Sequence, residues 1–576
     1  MNEVPLVHIS NVTKKFAGSR APALDSISTD IKTGCITGLV GPDGSGKTTL
    51  MRLIAGLMVP NSGTLIVCGF DVVKYPSEIH EITGYMPQRF GLYEDLTVIE
   101  NLRLYADLQG VPKDERLGLF EKLMEFTGLK RFQSRLAGDL SGGMKQKLGL
   151  MCALIRRPKL LLLDEPSVGV DPVSRRELWK IVRELVGNET GVVWSTAYLD
   201  EADRCDEVIL LNEGKILYSG APKKLTATMR GRTFLVKENA SGRRQILASA
   251  MKNNSFRDGV IQGGNVRLVL QSGTDSSIFK TLLPDRMLSA YPAEPRFEDA
   301  FVDLLQHRHA HIGSGVASMI RTVHGSPKSV VEAEGLTKCF GDFKAADSIS
   351  FSIPAGRIFG LLGPNGAGKS TTFKMMCGLL KPTGGKATVN GIDLQHAPSK
   401  ARSCIGYMAQ KFSLYGNLSV AQNLDFFAGV YGLYGNHKRM TIGQLVDMFD
   451  LAPHLDSSAG DLPLGFKQRL SLSCSIMHSP AVLFLDEPTS GVDPLTRREF
   501  WNHINAMVEK GVTIVVTTHF MEEAEYCDEI GLIYQGRMIA SGSPDRLKES
   551  VRSSSLPEPT LEDAFVELIK GSEKNE

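Results

Sequence analysis

GPDGSGKTT, at Gly41 to Thr49, recurs as GPNGAGKSTT at Gly363 to Thr372, and this stretch decides the fold of the chain. Each copy follows a short apolar segment, CITGLV or RIFGLL, and precedes another apolar segment. A glycine-rich loop between a strand and a helix is typical of a P-loop, whose backbone N–H groups surround nucleotide phosphates. The sequence therefore predicts two phosphate-binding loops in an α/β fold.

Each loop offers the same set of phosphate-binding groups. Lys47 and Lys369 supply a positive charge to the outer phosphates, and the hydroxyls of Thr48 and Ser370 suit Mg²⁺. The glycines allow the rest of the loop to curl around a diphosphate. The candidate nucleotide-binding residues are Gly41, Pro42, Asp43, Gly44, Ser45, Gly46, Lys47 and Thr48 in the first loop, and Gly363, Pro364, Asn365, Gly366, Ala367, Gly368, Lys369 and Ser370 in the second.

The two loops belong to a longer internal repeat. Lys369 follows Lys47 by 322 positions, and the same offset relates GYMPQ to GYMAQ and LLLLDEPS to VLFLDEPT. A constant offset across these motifs indicates two duplicated cores without net insertion. The continuous apolar run before DEP is typical of a parallel strand that is buried on both faces. We therefore expect a parallel sheet in each half.

Two carboxylates end this apolar strand in each half. They emerge at the C-terminal edge of the sheet, where α/β folds bind their ligands. The first carboxylate, Asp164 or Asp486, is placed to bind Mg²⁺ directly or through water. The second, Glu165 or Glu487, suits a general base that orients the attacking water.

The first half holds extra residues between its core and a short element that both halves share. EDAFV occurs at Glu298 to Val302 and at Glu562 to Val566, an offset of only 264. Within the excess, TFLVK, RRQILASAMK and NVRLVL predict a β-α-β pattern and hence a small α+β domain. The predicted domains are a nucleotide-binding domain at 6–237, the small domain at 238–305, a linker at 306–329, a second nucleotide-binding domain at 330–558, and a C-terminal element with its tail at 559–576.

Composition disfavours several classes of protein. The 65 Lys and Arg residues nearly balance 64 Asp and Glu residues, so the net charge of +1 provides no basic field for nucleic acid. Nine cysteines without a CxxC pair favour a reducing cytoplasm. Because we find neither a signal-peptide pattern nor 18 consecutive apolar residues, we expect any membrane-spanning part to belong to another chain. His307, His309 and His311 lack cysteine or carboxylate partners and predict no metal site.

The order of the motifs resembles the nucleotide-binding domains of ABC transporters in both halves. The P-loop is followed by GYxxQ, by the signature LSGGMKQK from Leu140, and by LLLLDEP. The resemblance implies two tandem P-loop NTPase domains of the ABC type, each with a helical subdomain, that hydrolyse ATP with Mg²⁺. It also implies that Phe16 and Phe340 stack on adenine, and that Gln88 and Gln410 touch Mg²⁺ and sense a membrane partner.

The two halves differ in the signature. In this family two domains dimerise head to tail, so each ATP lies between the P-loop of one domain and the signature of the other. The first half carries a serine hydroxyl and glycine N–H groups suited to the γ-phosphate, at Ser141, Gly142 and Gly143. The second half has Pro463, which lacks both the hydroxyl and the N–H, and Leu464, whose side chain stands where backbone should approach phosphate.

A second difference lies in the switch segment. VVTTHFMEEAE carries His519, which corresponds to the family's γ-phosphate-sensing histidine, whereas VVWSTAYLDEAD has Ala197 at the same offset. Head-to-tail pairing brings both differences to the site of Lys47 and leaves the site of Lys369 and Glu487 intact. Our hypothesis is that the intact site hydrolyses ATP while the degenerate site holds it. The LDEAD and MEEAE runs are expected to be exposed helix faces.

The tails PRFEDAFVDLL and PTLEDAFVELI resemble those of drug and antibiotic exporter ATPases. We therefore expect an ATPase subunit that binds peripherally, at the cytoplasmic face of the inner membrane, to separately encoded permeases. Two alternatives remain: a soluble tandem ABC ATPase that acts on ribosomes, and the ATPase of a sugar importer. The broken second signature and the weakly charged linker disfavour the ribosomal alternative, and the EDAF tails favour export over import.

Overall fold

The computed structural model describes residues 5–19, 21–88, 91–187, 190–237, 242–282, 288–305, 329–396 and 403–574. These residues form two compact units. The first holds the described residues of Met1–Arg230, Glu294–His307 and Asp493–Leu495, and the second those of Gly231–Ala293, Arg308–Val492 and Thr496–Glu576. The three histidines at 307, 309 and 311, and the predicted linker up to residue 328, lie outside the described residues.

The first unit contains one mainly parallel and one antiparallel sheet. Its strands are β1 Val7–Lys14, β2 Leu24–Ile31, β3 Ile36–Val40, β4 Ser62–Val67, β5 Phe70–Asp71, β6 Thr83–Met86, β7 Leu160–Asp164, β8 Gly191–Thr196, β9 Glu207–Asn212 and β10 Lys215–Gly220. The sheets have the orders β10-β9-β3-β8-β7-β6 and β2-β1-β4-β5. Only β10 is antiparallel in the six-stranded sheet. Every residue of β3 and β7 is buried, as the apolar runs predict.

Eight helices of the first unit lie between or directly after its strands in the chain. They are α1 Lys47–Ile54, α2 Pro76–Ile82, α3 Val98–Leu108, α4 Lys113–Thr127, α5 Gly142–Leu154, α6 Pro172–Leu185, α7 Leu199–Ala202 and α8 Pro222–Ala227. Helices α3, α4 and α5 follow one another between β6 and β7 as a helical subdomain. A capping box starts α3, since Thr97 Oγ1 accepts from the Glu100 N–H at 3.3 Å and the Glu100 carboxylate accepts from the Thr97 N–H at 2.8 Å.

A small antiparallel sheet belongs to the second unit. Its strands are β11 Thr233–Lys237, β12 Phe256–Gln262, β13 Asn265–Leu270 and β14 Ser289–Pro292, in the order β12-β13-β11-β14. Helices α9 Arg243–Lys252 and α10 Phe279–Leu282 lie between these strands in the chain. The predicted strand, helix and strand are confirmed at β11, α9 and β13. Strands β12 and β14 were not predicted, because their apolar residues are too few to form a period.

The bounds of this small domain differ from the predicted 238–305. Strand β11 precedes residue 238 and pairs with both β13 and β14, so it is part of the small sheet. The first EDAFV helix, α11 Phe297–Leu304, belongs to the first unit, where it contacts α7 and α8. Its side chains Phe297 and Phe301 are fully buried there. The helix buries its apolar face in the first unit, although it follows the small domain in the sequence. Its position in the sequence therefore does not determine which domain it packs against.

The second half repeats the topology of the first. Its strands are β15 Val331–Phe340, β16 Phe343–Ile353, β17 Ile358–Leu362, β18 Gly384–Val389, β19 Ile392–Asp393, β20 Ile405–Met408, β21 Val482–Asp486, β22 Thr513–Thr517, β23 Glu529–Tyr534 and β24 Arg537–Gly542. Their orders, β20-β21-β22-β17-β23-β24 and β16-β15-β18-β19, match those of the first half. The chain thus folds as two tandem P-loop α/β domains, which confirms the predicted fold class.

The described helices of the second half also follow the first-half pattern. They are α12 Lys369–Met376, α13 Val420–Val430, α14 Gly435–Met448, α15 Leu464–Ile476, α16 Pro494–Glu509, α17 Met521–Ala524, α18 Pro544–Ser550 and α19 Leu561–Lys574. Strands β17 and β21 are buried at every residue, as their first-half counterparts are. The loop after β17 leads into α12, and the loop after β21 leads into α16, so both candidate loops leave the same edge of the parallel sheet.

Candidate active sites

Each P-loop joins a buried strand to a helix through a glycine in the left-handed region. Gly46 has φ +108° and Gly368 has φ +102°, and each is the N-cap of the following helix. A Cβ at Gly46 would lie 2.5 Å from the Ala23 carbonyl oxygen, and one at Gly368 would lie 2.2 Å from the Ala345 oxygen. Glycine is therefore required at both positions, by conformation and by space.

The two P-loop lysines occupy equivalent buried positions. Lys47 Nζ donates to the carbonyl oxygens of Gly41 at 2.8 Å and of Pro42 at 3.0 Å. Lys369 Nζ donates to the Gly363 oxygen at 2.6 Å and to the Pro364 oxygen at 2.9 Å. The same fold of the loop thus holds each ammonium at the mouth of the helix that would receive phosphate.

One hydroxyl in the first loop is poised for a ligand. Ser45 Oγ is buried and has no hydrogen-bond partner among the residues that the structure describes. A buried hydroxyl without a partner is uncommon in a native protein and calls for a bound group. The geometry of the first loop therefore fits a phosphate-bearing ligand.

The aspartates at the ends of β7 and β21 each accept a hydrogen bond from a hydroxyl, which belongs to the predicted metal-binding residue Thr48 only in the first half. Asp164 Oδ1 accepts from Thr48 Oγ1 at 3.3 Å, whereas Asp486 Oδ1 accepts from Thr517 Oγ1 at 2.5 Å. Burial raises the pKa of both aspartates, although hydrogen bonds and the P-loop lysines oppose that rise. Sequence reasoning missed Thr517, which stands at the end of the neighbouring strand β22.

The glutamates that follow these aspartates share an unusual backbone conformation. Glu165 has φ +51° and Glu487 has φ +45°, a region that few residues other than glycine adopt. Gln88 Nε2 donates to Glu165 Oε2 at 2.5 Å, and Gln410 Nε2 donates to Glu487 Oε2 at 2.8 Å. Each half thus brings together the predicted glutamine and glutamate, which are distant in sequence.

The switch segment gives the two glutamates different electrostatic surroundings. His519 Nδ1 lies 3.2 Å from Glu487 Oε2, and both side chains are nearly fully buried. In the first half, Ala197 replaces the histidine, and the nearest cation is Lys47, whose Nζ lies 3.9 Å from Glu165 Oε1.

This difference moves the two pKa values in opposite directions. Burial raises the pKa of Glu165 to about 7, and Lys47 only partly opposes the rise. Burial also raises the pKa of Glu487, but His519, Lys369 and Gln410 outweigh it and leave this pKa below its usual range. The second half therefore keeps its glutamate ionised, as a base must be, more firmly than the first half does.

The signature helices differ at their first residues. Ser141 is the N-cap of α5, and its Oγ accepts from the Met144 N–H at 3.4 Å. Pro463 takes the N-cap position of α15 without any side-chain cap, and the next residue, Leu464, remains 37% exposed. The second signature therefore presents an apolar side chain where the first presents Gly142.

The predicted adenine-stacking aromatics are accessible; Phe340 ends β15, and Phe16 follows the end of β1 by two residues. Phe16 is 41% exposed and Phe340 is 53% exposed. Lys14 Nζ lies 5.7 Å from the centre of the Phe16 ring, and Lys338 Nζ lies 5.3 Å from the centre of the Phe340 ring. An exposed ring with a cation over one face leaves the other face open for a flat aromatic ligand.

The prediction that the LDEAD and MEEAE runs form exposed helix faces is wrong at one position in each half. Glu201 and Glu523 are 0% exposed. Glu201 accepts from Thr196 Oγ1 at 2.6 Å, and Glu523 accepts from Thr518 Oγ1 at 2.6 Å. These contacts arise because the short helix turns one carboxylate back onto the strand that precedes it, and a charge pattern alone does not reveal such a turn.

The oxygen donors of the two P-loop sites suit Mg²⁺. A hydroxyl and one carboxylate in each half match a cation that binds through one or two protein groups, phosphate oxygens and water. In the described part of the chain, no three His, Cys, Asp or Glu side chains gather as a self-sufficient metal site. Nor does any helix in that part have both the length and the apolar character to cross a membrane.

Comparison with known proteins shows which family the chain resembles over both halves. The sequence model of one family, described as ABC transporter, matches residues 24–168 and 346–490. The chain is 55% identical over 575 residues to the probable multidrug ABC transporter ATP-binding protein YbhF of Escherichia coli K12, which covers 100% of this chain and 99% of that protein. It is 40% identical over 222 residues to the daunorubicin resistance ATP-binding protein DrrA2 of Streptomyces coeruleorubidus, over 38% of this chain and 69% of that protein. It is 35% identical over 245 residues to the linearmycin resistance ATP-binding protein LnrL of Bacillus subtilis, over 42% of this chain and 79% of that protein.

Proposed function

This chain belongs to the ABC transporter family of ATP-binding proteins and is a tandem ABC ATPase, and from that premise we propose that it drives a bacterial exporter of drugs or antibiotics. The full-length similarity to a probable multidrug transporter protein supports export. The drug-resistance names of two further relatives point the same way. The permeases are separate chains, and the ATPase binds them peripherally at the cytoplasmic face of the membrane.

In this proposal each P-loop binds the phosphates of one ATP. The backbone of each loop, Gly41 to Thr48 or Gly363 to Ser370, surrounds the phosphates. Lys47 and Lys369, which donate to carbonyl oxygens of their own loops, then donate to the outer phosphates instead. Phe16 and Phe340 stack on adenine with their open faces. The unpartnered Ser45 hydroxyl gains a phosphate oxygen as its acceptor.

Mg²⁺ would be held by a hydroxyl and a carboxylate in each half. The residues are Thr48 with Asp164, and Ser370 with Asp486; Gln88 and Gln410, which now contact the neighbouring glutamates, are further candidates. When bound, the ion neutralises charge on the β- and γ-phosphates. Hydroxyl and carboxylate oxygens are the donors that this hard cation prefers.

We propose further that the two domains close head to tail around two ATP molecules. The site of Lys369 then receives the signature Ser141, Gly142 and Gly143, whereas the site of Lys47 receives Pro463 and Leu464. The sequence supports this difference, because proline and leucine remove a hydroxyl donor and block the approach of backbone to phosphate. The site of Lys369 hydrolyses ATP, and the site of Lys47 mainly holds it.

The observation that carries this asymmetry is the contact between His519 and Glu487. The Glu487 carboxylate is kept ionised and orients a water molecule for attack on the γ-phosphorus. The new P–O bond forms as the bond from the γ-phosphorus to the β–γ bridging oxygen breaks, which gives ADP and phosphate. His519 and Gln410 both contact Glu487 Oε2 and so orient the carboxylate through this oxygen.

Two matched substitutions test the asymmetry. Glu487→Gln and Glu165→Gln remove the equivalent carboxylate from each half with almost no change of volume, and ATP turnover by the purified full chain is measured by phosphate release. We expect Glu487→Gln to lower kcat by about 10² or more and Glu165→Gln to lower it less than about threefold. Equal losses would contradict the asymmetric mechanism.

The exporter part of the proposal has a separate test. The tagged chain is expressed at native level and recovered both from detergent-solubilised membranes and from ribosome fractions. We expect integral membrane proteins to copurify with it, and Glu487→Gln should strengthen that association by prolonging the ATP-bound state. Recovery with ribosomes and without membrane proteins would support the ribosomal alternative instead.

A further inference from the structure

An aspartate after the switch helix has a local arginine partner in the first half. Asp206 Oδ1 and Oδ2 accept from Arg183 Nη1 at 2.9 and 2.8 Å. Asp206 Oδ2 also accepts from the Ile36 N–H at 2.8 Å. This bond connects the end of the switch segment to β3, the strand that precedes the P-loop. The first half therefore makes this connection with its own helix α6, which carries Arg183.

The second half has the same aspartate but no arginine at the position equivalent to Arg183; its half-exposed Arg357 lies with Nη1 3.6 Å from Asp528 Oδ1. Asp528 is the counterpart of Asp206, and Asn505 stands 322 positions after Arg183. The small sheet domain supplies the missing charge: Arg243 Nη2 donates to Asp528 Oδ1 at 2.5 Å, and Arg244 Nη2 donates to Asp528 Oδ2 at 2.7 Å. Arg244 Nε also donates to Asn505 Oδ1 at 3.1 Å, so its guanidinium takes the place of the absent arginine.

Asp528 connects the small domain to the second P-loop. Its Oδ2 accepts from the Ile358 N–H at 2.8 Å, and its own N–H donates to the Ile358 oxygen at 2.8 Å. Ile358 begins β17, which runs directly into Gly363 of the loop. Asp528 also closes the segment that starts at His519, so one carboxylate joins the strand before the P-loop to the end of the switch.

A second contact reaches the switch through α16. Asp258 of the small sheet pairs with Arg498 of α16, and both side chains are buried. The neighbouring Arg497 lies with its guanidinium carbon 4.9 Å from the centre of the Phe520 ring, and its Nε lies 3.7 Å from Glu523 Oε1. The small domain therefore contacts the switch segment directly at Asp528 and also contacts α16, whose Arg497 contacts that segment.

Because its charges are buried, the contact of Asp528 with the small-domain arginines should be sensitive to the loss of one arginine. The side chains of Arg243 and Asp528 are 12% and 7% exposed, whereas those of Arg183 and Asp206 are 47% and 41% exposed. A buried carboxylate that loses one of its cations is left poorly compensated, whereas an exposed one is solvated by water. The second half thus depends on its arginines more than the first half does.

We infer that Arg243 and Arg244 of the small sheet domain are positioning residues for ATP hydrolysis at the second P-loop, acting through Asp528 on the switch segment that carries His519. The small domain supplies the guanidinium that the first half supplies from its own helix α6. Neither arginine contacts the P-loop, so their effect falls on the alignment of His519 with Glu487 and leaves the phosphate-binding loop unchanged. The inference rests on the proposed roles of Glu487 and His519.

The test measures the second site by itself in the full chain. Arg244→Gln is introduced into Glu165→Gln, where only the second site keeps its carboxylate, and into Glu487→Gln, where only the first site does. ATP turnover is expressed per bound fluorescent ATP analogue, so that loss of folded protein does not count as loss of rate. We expect kcat to fall about tenfold in the Glu165→Gln background, with KM for ATP changed less than twofold, and to change less than twofold in the Glu487→Gln background.

Rescue separates positioning from general stability. Asn505→Arg restores the first-half arrangement, and in the Arg244→Gln, Glu165→Gln protein it should recover at least half of the lost rate. Arg183→Gln is the matched control in the first half, and it should change kcat of the Glu165→Gln protein less than twofold. If Arg244→Gln is insoluble, Arg244→Lys replaces it; it keeps the charge but loses one donor arm, and should lower kcat at least twofold.

An unchanged kcat for the arginine variant in the Glu165→Gln background would overturn the inference, as would an equal loss in both backgrounds or a failure of Asn505→Arg to rescue. Failure of the asymmetric mechanism is a different result. It shows as equal rates for Glu165→Gln and Glu487→Gln before any arginine is changed, whereas the effect of Arg244→Gln is read within one background.

Discussion

His519 Nδ1 lies 3.2 Å from Glu487 Oε2, and the first half, which carries Glu165, has Ala197 at the position equivalent to His519. The two halves otherwise share sheet order, P-loop conformation and the glutamine contact to the glutamate. Glu487, beside His519, has a depressed pKa, whereas burial raises the pKa of Glu165 to about 7, and Asp43, which Asn365 replaces in the second half, adds to that rise.

Replacing His519 by alanine should convert the second site to the first-half arrangement. The Glu487 carboxylate then loses its buried partner, so we expect kcat of the full chain to fall by about 10² to 10³, the usual effect of losing one transition-state contact. Steady-state phosphate release measures the change. His478→Ala removes a partly buried imidazole elsewhere in the same unit and should leave kcat within about threefold. A loss of the same size in both variants would contradict a specific role for His519.

Repairing the first site should raise its activity only when both of its differences are corrected. In the Glu487→Gln background, we expect Ala197→His alone, or Pro463→Ser with Leu464→Gly alone, to raise turnover less than about threefold. The triple repair should raise it by about tenfold or more, because the histidine and the signature act on the same phosphate. Single-turnover ATP hydrolysis is the measurement. A triple variant no faster than its background would show that the sequence differences are not what limits this site.

Alanine at two glycines of the second P-loop should have unequal effects. A Cβ at Gly368 lies 2.2 Å from the Ala345 oxygen, whereas a Cβ at Gly366 has nothing within 4 Å. Both positions have positive φ, so Gly366→Ala carries only conformational strain of about 1 to 2 kcal/mol. Gly368→Ala must also move backbone. We expect it to weaken binding of a fluorescent ATP analogue at least tenfold more than Gly366→Ala does, and similar affinities would contradict the prediction.

His503 should make the second half sensitive to mild acid. Burial, helped by Arg469, lowers the pKa of His503 to about 3, well below the unfolded value of about 6.5. Its contribution is thus fully present above pH 6.5 and is lost as the pH falls toward 3, which amounts to about 2 kcal/mol at pH 5. His503→Ile copies Ile181, the first-half counterpart. The variant should lose less urea resistance between pH 7.5 and pH 5 than the parent, and equal losses would contradict this.

Much of each candidate site could be predicted because its residues form short contiguous motifs. Lys47, Thr48 and the glycines are set by local backbone geometry, and Asp164 with Glu165 is set by the end of a buried strand. The 322-residue offset then transferred the P-loop, glutamine, Asp-Glu, signature and switch positions to the second half, whereas Phe340 follows Phe16 by 324 positions. The contacts of Gln88 with Glu165 and of Gln410 with Glu487 agree with this grouping, although the sequence motifs assigned those glutamines to Mg²⁺.

Other features could not be predicted because they depend on partners that are distant in the chain. Glu201 and Glu523 lie in charged runs that indicate solvent exposure, yet each carboxylate is buried against a threonine hydroxyl. Whether a charged side chain is exposed depends on what packs over it, and the charge pattern contains no such information.

The sequence by itself determined that this protein is a duplicated ATPase, which residues form its phosphate-binding loops, and that its halves differ at Ala197 and His519. Only the tertiary structure decided that the small sheet domain belongs with the second half and that Arg243 and Arg244 replace the arginine missing there. The physical reason is how far apart the interacting residues lie along the chain. Loops and strand ends follow from neighbouring residues, whereas the two arginines that donate hydrogen bonds to Asp528 lie 284 and 285 positions away, and only folding brings them within reach.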